Sequence, residues 1–170
     1  MELRFLDNGI VQIDGARITF KNFAGAPSQY NREGDRNFAI IIPNEDIAEK
    51  LVDMGYNVRT KPPRDEEDSE FIYLPVKVKW STRVVGESDN HRNRGPMIYL
   101  RTGTARNLIN EDMVGMLDEI DIKNVDMDIR PYDWKVGAKS GRTAYLSAME
   151  VTQNIDRFAA RYAEEESPEE

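Results

Sequence analysis

Residues 131–145, PYDWKVGAKSGRTAY, set Tyr132, Trp134 and Tyr145 among Lys135, Lys139 and Arg142, with Asp133 as the one acid. Cations at this spacing suit phosphate oxygens, and rings between them suit unpaired bases, because every base offers a face for stacking. The same pairing of charge with ring recurs along the chain. Lys21 stands near Phe23, Lys77 and Lys79 follow Tyr73, Arg101 follows Tyr99, and Arg130 precedes Tyr132. Two polar segments add to the set: SQYNREGDR (28–36) with Tyr30, Arg32 and Arg36, and HRNRG (91–95) with two arginines.

Other chemistries find less support. The single histidine, His91, cannot build a multi-histidine zinc site. With no cysteine there is no thiolate site and no disulfide framework. Asp126 and Asp128 share a strand face and could hold Mg²⁺ for a nuclease, but Arg130 stands on that face and no third carboxylate joins them. DEEDSE (65–70) lacks the glycine and ligand spacing of an EF-hand. GAKSGR (137–142) lacks the spacing of a phosphate-binding P-loop, and no G-x-S-x-G motif is present. We expect no cofactor, no metal and no enzymatic activity.

The elements that must position these residues are mostly short strands. IVQID (10–14) and ARITFKNF (16–23) alternate around Asp14-Gly15, a hairpin-type signal, and RNFAIII (36–42) reads as a third strand. Asn44 is a natural cap for a helix over EDIAEKLVDMG, with Ile47, Leu51 and Val52 on one face and Gly55 as its stop. YNVRT (56–60), FIYLPVKVKW (71–80) and MIYLR (97–101) follow as strands, Pro75 suggesting an edge or a bulge. Asn110 can cap a second helix over 111–119. KNVDMDIRPYDWKV (123–136) and RTAYLSAMEVTQ (142–153) form a long hairpin about Gly137 and Gly141, and IDRFAARYA (155–163) reads as a last helix.

Alternation then sorts the side chains. Ile18 and Phe20 oppose Arg17, Lys21 and Phe23; Leu74, Val76, Val78 and Trp80 oppose Tyr73, Lys77 and Lys79; Ile98 and Leu100 oppose Tyr99 and Arg101; Val125, Met127 and Ile129 oppose Arg130, Tyr132 and Trp134. On any single strand an outer lysine or ring has an ordinary explanation, as edge protection or β-propensity. Recurrence on four strands is what favours a binding face. Such a chain is mainly β, a small barrel or sandwich, and its order is compatible with an elaborated OB-fold, a five-stranded Greek-key barrel. Strand count alone does not separate it from other small barrels.

At 170 residues the chain is the size of one domain. Its formal net charge of −8 is unevenly spread: DEEDSE (65–70) and EEESPEE (164–170) each hold five acids, and the other 157 residues carry +2. The domain is expected over 1–163, with 164–170 as a disordered acidic tail. MELRFLDNG lacks the layout of a signal peptide, and no apolar run approaches the roughly 20 residues of a membrane helix, so a cytoplasmic protein is expected.

At NREGDRNFAI (31–40), NVDMDIRPYDW (124–134) and AKSGRTAYL (138–146) the sequence resembles a group of bacteriophage single-stranded DNA-binding proteins, over about residues 10–155. The resemblance implies an OB-type barrel that coats single-stranded DNA, without catalysis, during phage replication or recombination in the host cytoplasm. The tail Glu164–Glu170 is similar to the acidic tails of phage and bacterial single-strand binders, which contact replication proteins and compete with DNA. This chain ends in Ser-Pro-Glu-Glu, without a terminal aromatic or hydrophobic tip. A different class of function, a phage assembly protein that packs its outer sheet face against identical subunits, would use the same rings.

Overall fold

The structure is a computed structural model and describes residues 1–61, 71–80 and 95–155. The expected acidic runs 65–70 and 164–170, the loop with His91, Arg92 and Arg94, and most of the expected helix 155–163 lie outside these residues.

The described chain runs β1 (Glu2–Phe5), β2 (Val11–Asn22), β3 (Arg36–Ile42), α1 (Glu45–Asp53), β4 (Arg59–Lys61), β5 (Phe71–Val78), β6 (Met97–Thr102), β7 (Ala105–Ile109), a 3₁₀ helix (Val114–Asp118), β8 (Ile122–Val136) and β9 (Lys139–Gln153). β2, β3, β5, β9 and β8 follow one another around a closed barrel, because β8 pairs back onto β2. Closure rests on one parallel contact, Val76 opposite Ala144 and Lys77 opposite Tyr145. Numbered by chain order, the barrel strands run 1-2-3-5-4 and return to 1. That is a five-stranded Greek-key barrel of OB type, as expected. β1 adds to β2, β4 to β5, and the β6–β7 hairpin continues the sheet from β9.

Inward residues from all five barrel strands meet in one core that includes Ile13, Phe23, Phe38, Ile40, Leu74, Val76, Ile129 and Val151, all essentially fully buried. Phe23 stacks on Phe38 with ring centroids 5.2 Å apart. α1 starts as its sequence requires: the Asn44 side chain accepts from the Ile47 N–H, and Glu45 and Asp46 occupy the first turn. Ala48 and Leu51 form its buried face, while Val52 is exposed rather than inward.

Three expectations fail for stated reasons. Asp14-Gly15 does not turn the chain. Val11, Ile13 and Ala16 are all buried, so β2 runs straight through, and the pair forms a bulge against β8 between Ile13 and Ala16. Gly15 supplies the positive φ of 70° that a bulge of this kind accommodates, and its N–H donates to the Asp126 carboxylate at 2.8 Å. With one strand where two were expected, α1 falls between the second and third barrel strands. The 3₁₀ helix takes the position between the third and fourth; Asn110 does not cap it, but accepts from the Met113 N–H in the turn that precedes it. Lastly, ARNLI is a strand that alternation did not reveal, because only Ile109 of its residues is buried.

Pro75 sits opposite Ala39 without a bulge, where the other edge of β5 passes from β4 to β9. Local absence of a partner there tolerates the missing N–H. The β8–β9 hairpin is longer than expected: β9 begins at Lys139 and the turn is Gly137-Ala138, with Gly137 at φ 61°.

Candidate nucleic-acid interface

The outer face of the barrel carries a cross-strand row. Asn37 on β3 stands opposite Lys77 on β5, Lys77 opposite Tyr145 on β9, and Tyr145 opposite Arg130 on β8. The Arg130 guanidinium lies over the Tyr145 ring, 5.0 Å from its centroid. Tyr132 meets the same ring edge-on at 5.2 Å. From this row the β8–β9 hairpin projects past the point where β5 pairs with β9, and it presents Tyr132 and Trp134 at 50% and 37% exposure. Trp134 is directly opposite Gly141, and the indole occupies the space a side chain would fill: a Cβ on Gly141 would lie 2.7 Å from the ring. Lys135 and Lys139 are exposed beside it and make no ion pair among the described residues.

At the other end of the row stands the β2–β3 loop. Asn31 organises it: its amide donates to the carbonyls of Ala26, Arg32 and Asp35 at 2.9, 3.0 and 3.0 Å, and its own oxygen accepts from Asn37. Asn22 closes a second pair of bonds with Ala26. A loop tied this firmly still leaves Tyr30 at 90% exposure, next to exposed Arg32. Exposed Lys77 and Lys79 lie between this loop and the hairpin. In an OB barrel the second and third strands, with the loops between strands one and two and between four and five, are the surfaces that take oligonucleotides. Here those are β3, β5, the Tyr30 loop and the Trp134 hairpin.

Five residues expected on this face serve elsewhere. Phe23 is 0% exposed and belongs to the core, since a second bulge between Thr19 and Asn22 reverses the alternation of β2. The same bulge turns Phe20 outward, to 45% exposure. Lys21 donates to the carbonyls of Leu117 and Ile120 at 2.8 and 3.0 Å and so caps the C-terminal end of the 3₁₀ helix. Arg36 donates to the Phe23 carbonyl, pairs with Glu111 at 3.2 Å and lies over Trp80. Arg101 pairs with Glu150 at the far end of β9, beside Arg106, which is stacked on Tyr99 at 3.7 Å. Arg142 holds both Asp133 oxygens at 2.7 and 3.1 Å and donates to the Met54 carbonyl at the end of α1.

These pairings leave a mark on the carboxylates. The hydrogen bond from Arg142 holds Asp133 below the usual aspartate range, and Arg106 does the same for Glu150. Asp128 is shifted the opposite way, by burial and then by the nearby Asp14 charge. Asp126 accepts from the Gly15 N–H and from the Asn124 amide, so its carboxylate is committed to the β2 bulge. No group of three His, Cys, Asp or Glu able to hold a metal ion occurs among the described residues. No described helix is long and apolar enough to cross a membrane.

Alternation missed one further group, made by Phe20, Phe71, Tyr73 and Lys61 at the start of β5. Its signal was the odd spacing of Ile18 and Phe23, which cannot both point inward on a regular strand.

The family model described as "Putative phage ssDNA-binding domain" matches residues 4–170. No curated protein sequence matches the chain. Among solved structures, the single-stranded DNA-binding protein from bacteriophage Enc34 in complex with ssDNA superposes with a TM-score of 0.54 at 12% identity, over 92% of this chain and 93% of that one. Its C-terminally truncated form gives 0.53 at 12% identity, over 89% and 90%. A further structure of the single-stranded DNA-binding protein from bacteriophage Enc34 gives 0.50 at 12% identity, over 93% of each chain. This likeness shows the shared fold, while the family match spans nearly the whole sequence, and the chain belongs to the phage single-stranded DNA-binding domain family.

Proposed function

We propose that this protein binds single-stranded DNA without reading its sequence and without catalysis, across the outer face from the Trp134 hairpin to the Tyr30 loop. The observation that carries the reading is the row Lys77–Tyr145–Arg130 continued by Tyr132 and Trp134. It alternates cations that suit phosphates with rings that suit bases, and it offers little that would distinguish one base from another. Lys79, Lys135, Lys139, Arg32 and Tyr30 extend it; Lys21, Phe23, Arg36, Arg101 and Arg142 support the scaffold. The Asp126 bonds to the bulge speak against a nuclease centre. Family membership supports a role in coating single strands during phage replication or recombination, in the host cytoplasm. The acids of Glu164–Glu170 suit contacts with replication or recombination proteins.

Titration with oligo-dT tests the reading. Trp134 fluorescence is quenched on binding, and Trp134→Ala weakens binding by about 1–3 kcal/mol with the fold intact. Wild-type affinity in that variant rejects stacking on Trp134. Salt-independent association with no oligo-dT binding would instead favour a self-assembling structural protein.

A further inference from the structure

Phe20, Phe71 and Tyr73 form a ring cluster on the outer face that the path just described does not use. Phe20 lies 5.9 Å from Phe71 and 5.4 Å from Tyr73, and those two lie 5.8 Å apart. Lys61 stands over Phe20 at 4.8 Å. The next cross-strand row, Arg17–Ile41–Tyr73–Arg59, brings two exposed arginines to either side. No acid lies in that row; the acids of 65–70 lie outside the described residues. Phe20 also has a φ of 51°, and it is the one non-glycine among the described residues with positive φ. A bulky side chain disfavours that conformation, and such strain persists where the surroundings impose it, above all at ligand sites. Here the strain serves to turn an aromatic ring outward.

We infer that this cluster is a second stacking platform for the same DNA strand, set apart from the hairpin platform and engaged only when the strand is long enough to reach it. The inference rests on the single-strand reading above. β5 runs parallel to β9, so Tyr73, four residues before Lys77, and Gly141 opposite Trp134, four residues before Tyr145, lie on the same side of the Lys77–Tyr145 pair, and β4 takes the edge of β5 that β9 leaves. From β5 past β4 and β9 to β8 is at least three strand spacings, about 14 Å. At a stacked rise of about 3.4 Å per nucleotide, that gap alone spans roughly four nucleotides. A tetranucleotide seated on Tyr132 and Trp134 therefore stops short of Phe20, whereas a dodecamer reaches it. The combined span fits the roughly 4–16 nucleotides that one OB fold covers.

The test compares dT4 and dT12 on the full chain. Phe20→Asn removes the ring with a residue that tolerates positive φ, so the backbone keeps its bulge. We expect the melting temperature to hold or rise, dT4 affinity to stay within about twofold, and dT12 affinity to fall roughly tenfold or more. Lys61→Ser should reduce the salt dependence of dT12 binding and leave that of dT4 alone. Unchanged dT12 affinity in Phe20→Asn, with wild type binding both oligonucleotides, overturns this inference and leaves the hairpin reading standing. Equal losses for dT4 and dT12 also overturn it, since the two groups would then be one site. A lower melting temperature or a changed oligomeric state, with dT12 affinity intact, assigns the rings to packing or self-association and overturns it as well. Wild type binding neither oligonucleotide removes both readings.

Discussion

Salt dependence separates cations that meet phosphate from cations the scaffold has already used. Six cations on or beside the proposed path are exposed and make no ion pair among the described residues: Arg32, Lys77, Lys79, Arg130, Lys135 and Lys139. Each phosphate neutralised on a single strand contributes about 0.7 to the slope of log affinity against log salt, so these six contribute about 4. Between 50 and 200 mM salt that is a loss of roughly 300-fold. Counting Lys21, Arg36, Arg101 and Arg142 as well would raise the slope to about 7 and the loss to over 10,000-fold. Cations outside the described residues, Arg92 and Arg94 among them, shift the total but not a difference between variants. The decisive comparison is therefore pairwise. Lys139→Ser should lower the slope by about 0.7. The double change Arg142→Gln with Asp133→Asn removes a cation and the anion that already neutralises it, and the slope should stay the same. Fluorescence titration with oligo-dT at four salt concentrations measures both. A fall of about 0.7 in the double variant, or none in Lys139→Ser, refutes the division of cations made here.

Gly141→Val places a Cβ within 2.7 Å of the Trp134 ring, so the indole must leave the strand, and oligo-dT quenching should drop while the melting temperature holds. Asp133 titrates below its unfolded value, so its pairing with Arg142 contributes fully above about pH 4 and is lost as pH falls through the depressed folded value; acid should loosen the hairpin in wild type and leave Asp133→Asn without that transition, read by Trp134 anisotropy. Phe23→Ala opens the core beside Phe38 and should cost about 3–5 kcal/mol in a denaturant melt, against little for a surface ring. Removing residues 164–170 takes five carboxylates from a chain that carries +2 outside its two acidic runs, and should raise single-strand affinity at low salt, with the gain shrinking as salt rises; equal affinities at low salt reject competition by the tail.

Regular alternation was the legible part. Leu74, Val76 and Val78 point inward and Tyr73, Lys77 and Lys79 outward, and Val125, Met127 and Ile129 oppose Arg130, as the period of two requires. The Asn44 cap was equally local, needing only residues within one turn. What alternation could not supply was parity across a bulge. Arg17 and Ile18 face as expected after the Gly15 bulge, but one extra residue between Thr19 and Asn22 reverses the assignments of Phe20 and Phe23. Phe20 and Phe23 exchanged places for that reason alone. Nor could sequence tell a phosphate-binding arginine from a structural one. The partners of Arg36, Arg101 and Arg142 include Glu111, Glu150 and Met54, 49 to 88 residues away.

Those structural arginines bear on function all the same. A two-stranded ribbon that leaves its barrel has few neighbours and is marginal by itself. The β8–β9 hairpin leaves at about Arg142, where β5 no longer pairs with β9. Arg142 ties both strands of the ribbon together through Asp133 and ties the ribbon to the barrel through the Met54 carbonyl and the face of Tyr56. Arg142, expected as a phosphate ligand, is committed by these bonds to bracing the strands that carry Tyr132 and Trp134. On the binding path proposed above, less ordering then remains to be done when a strand arrives, and stacking contacts would keep more of their free energy for binding.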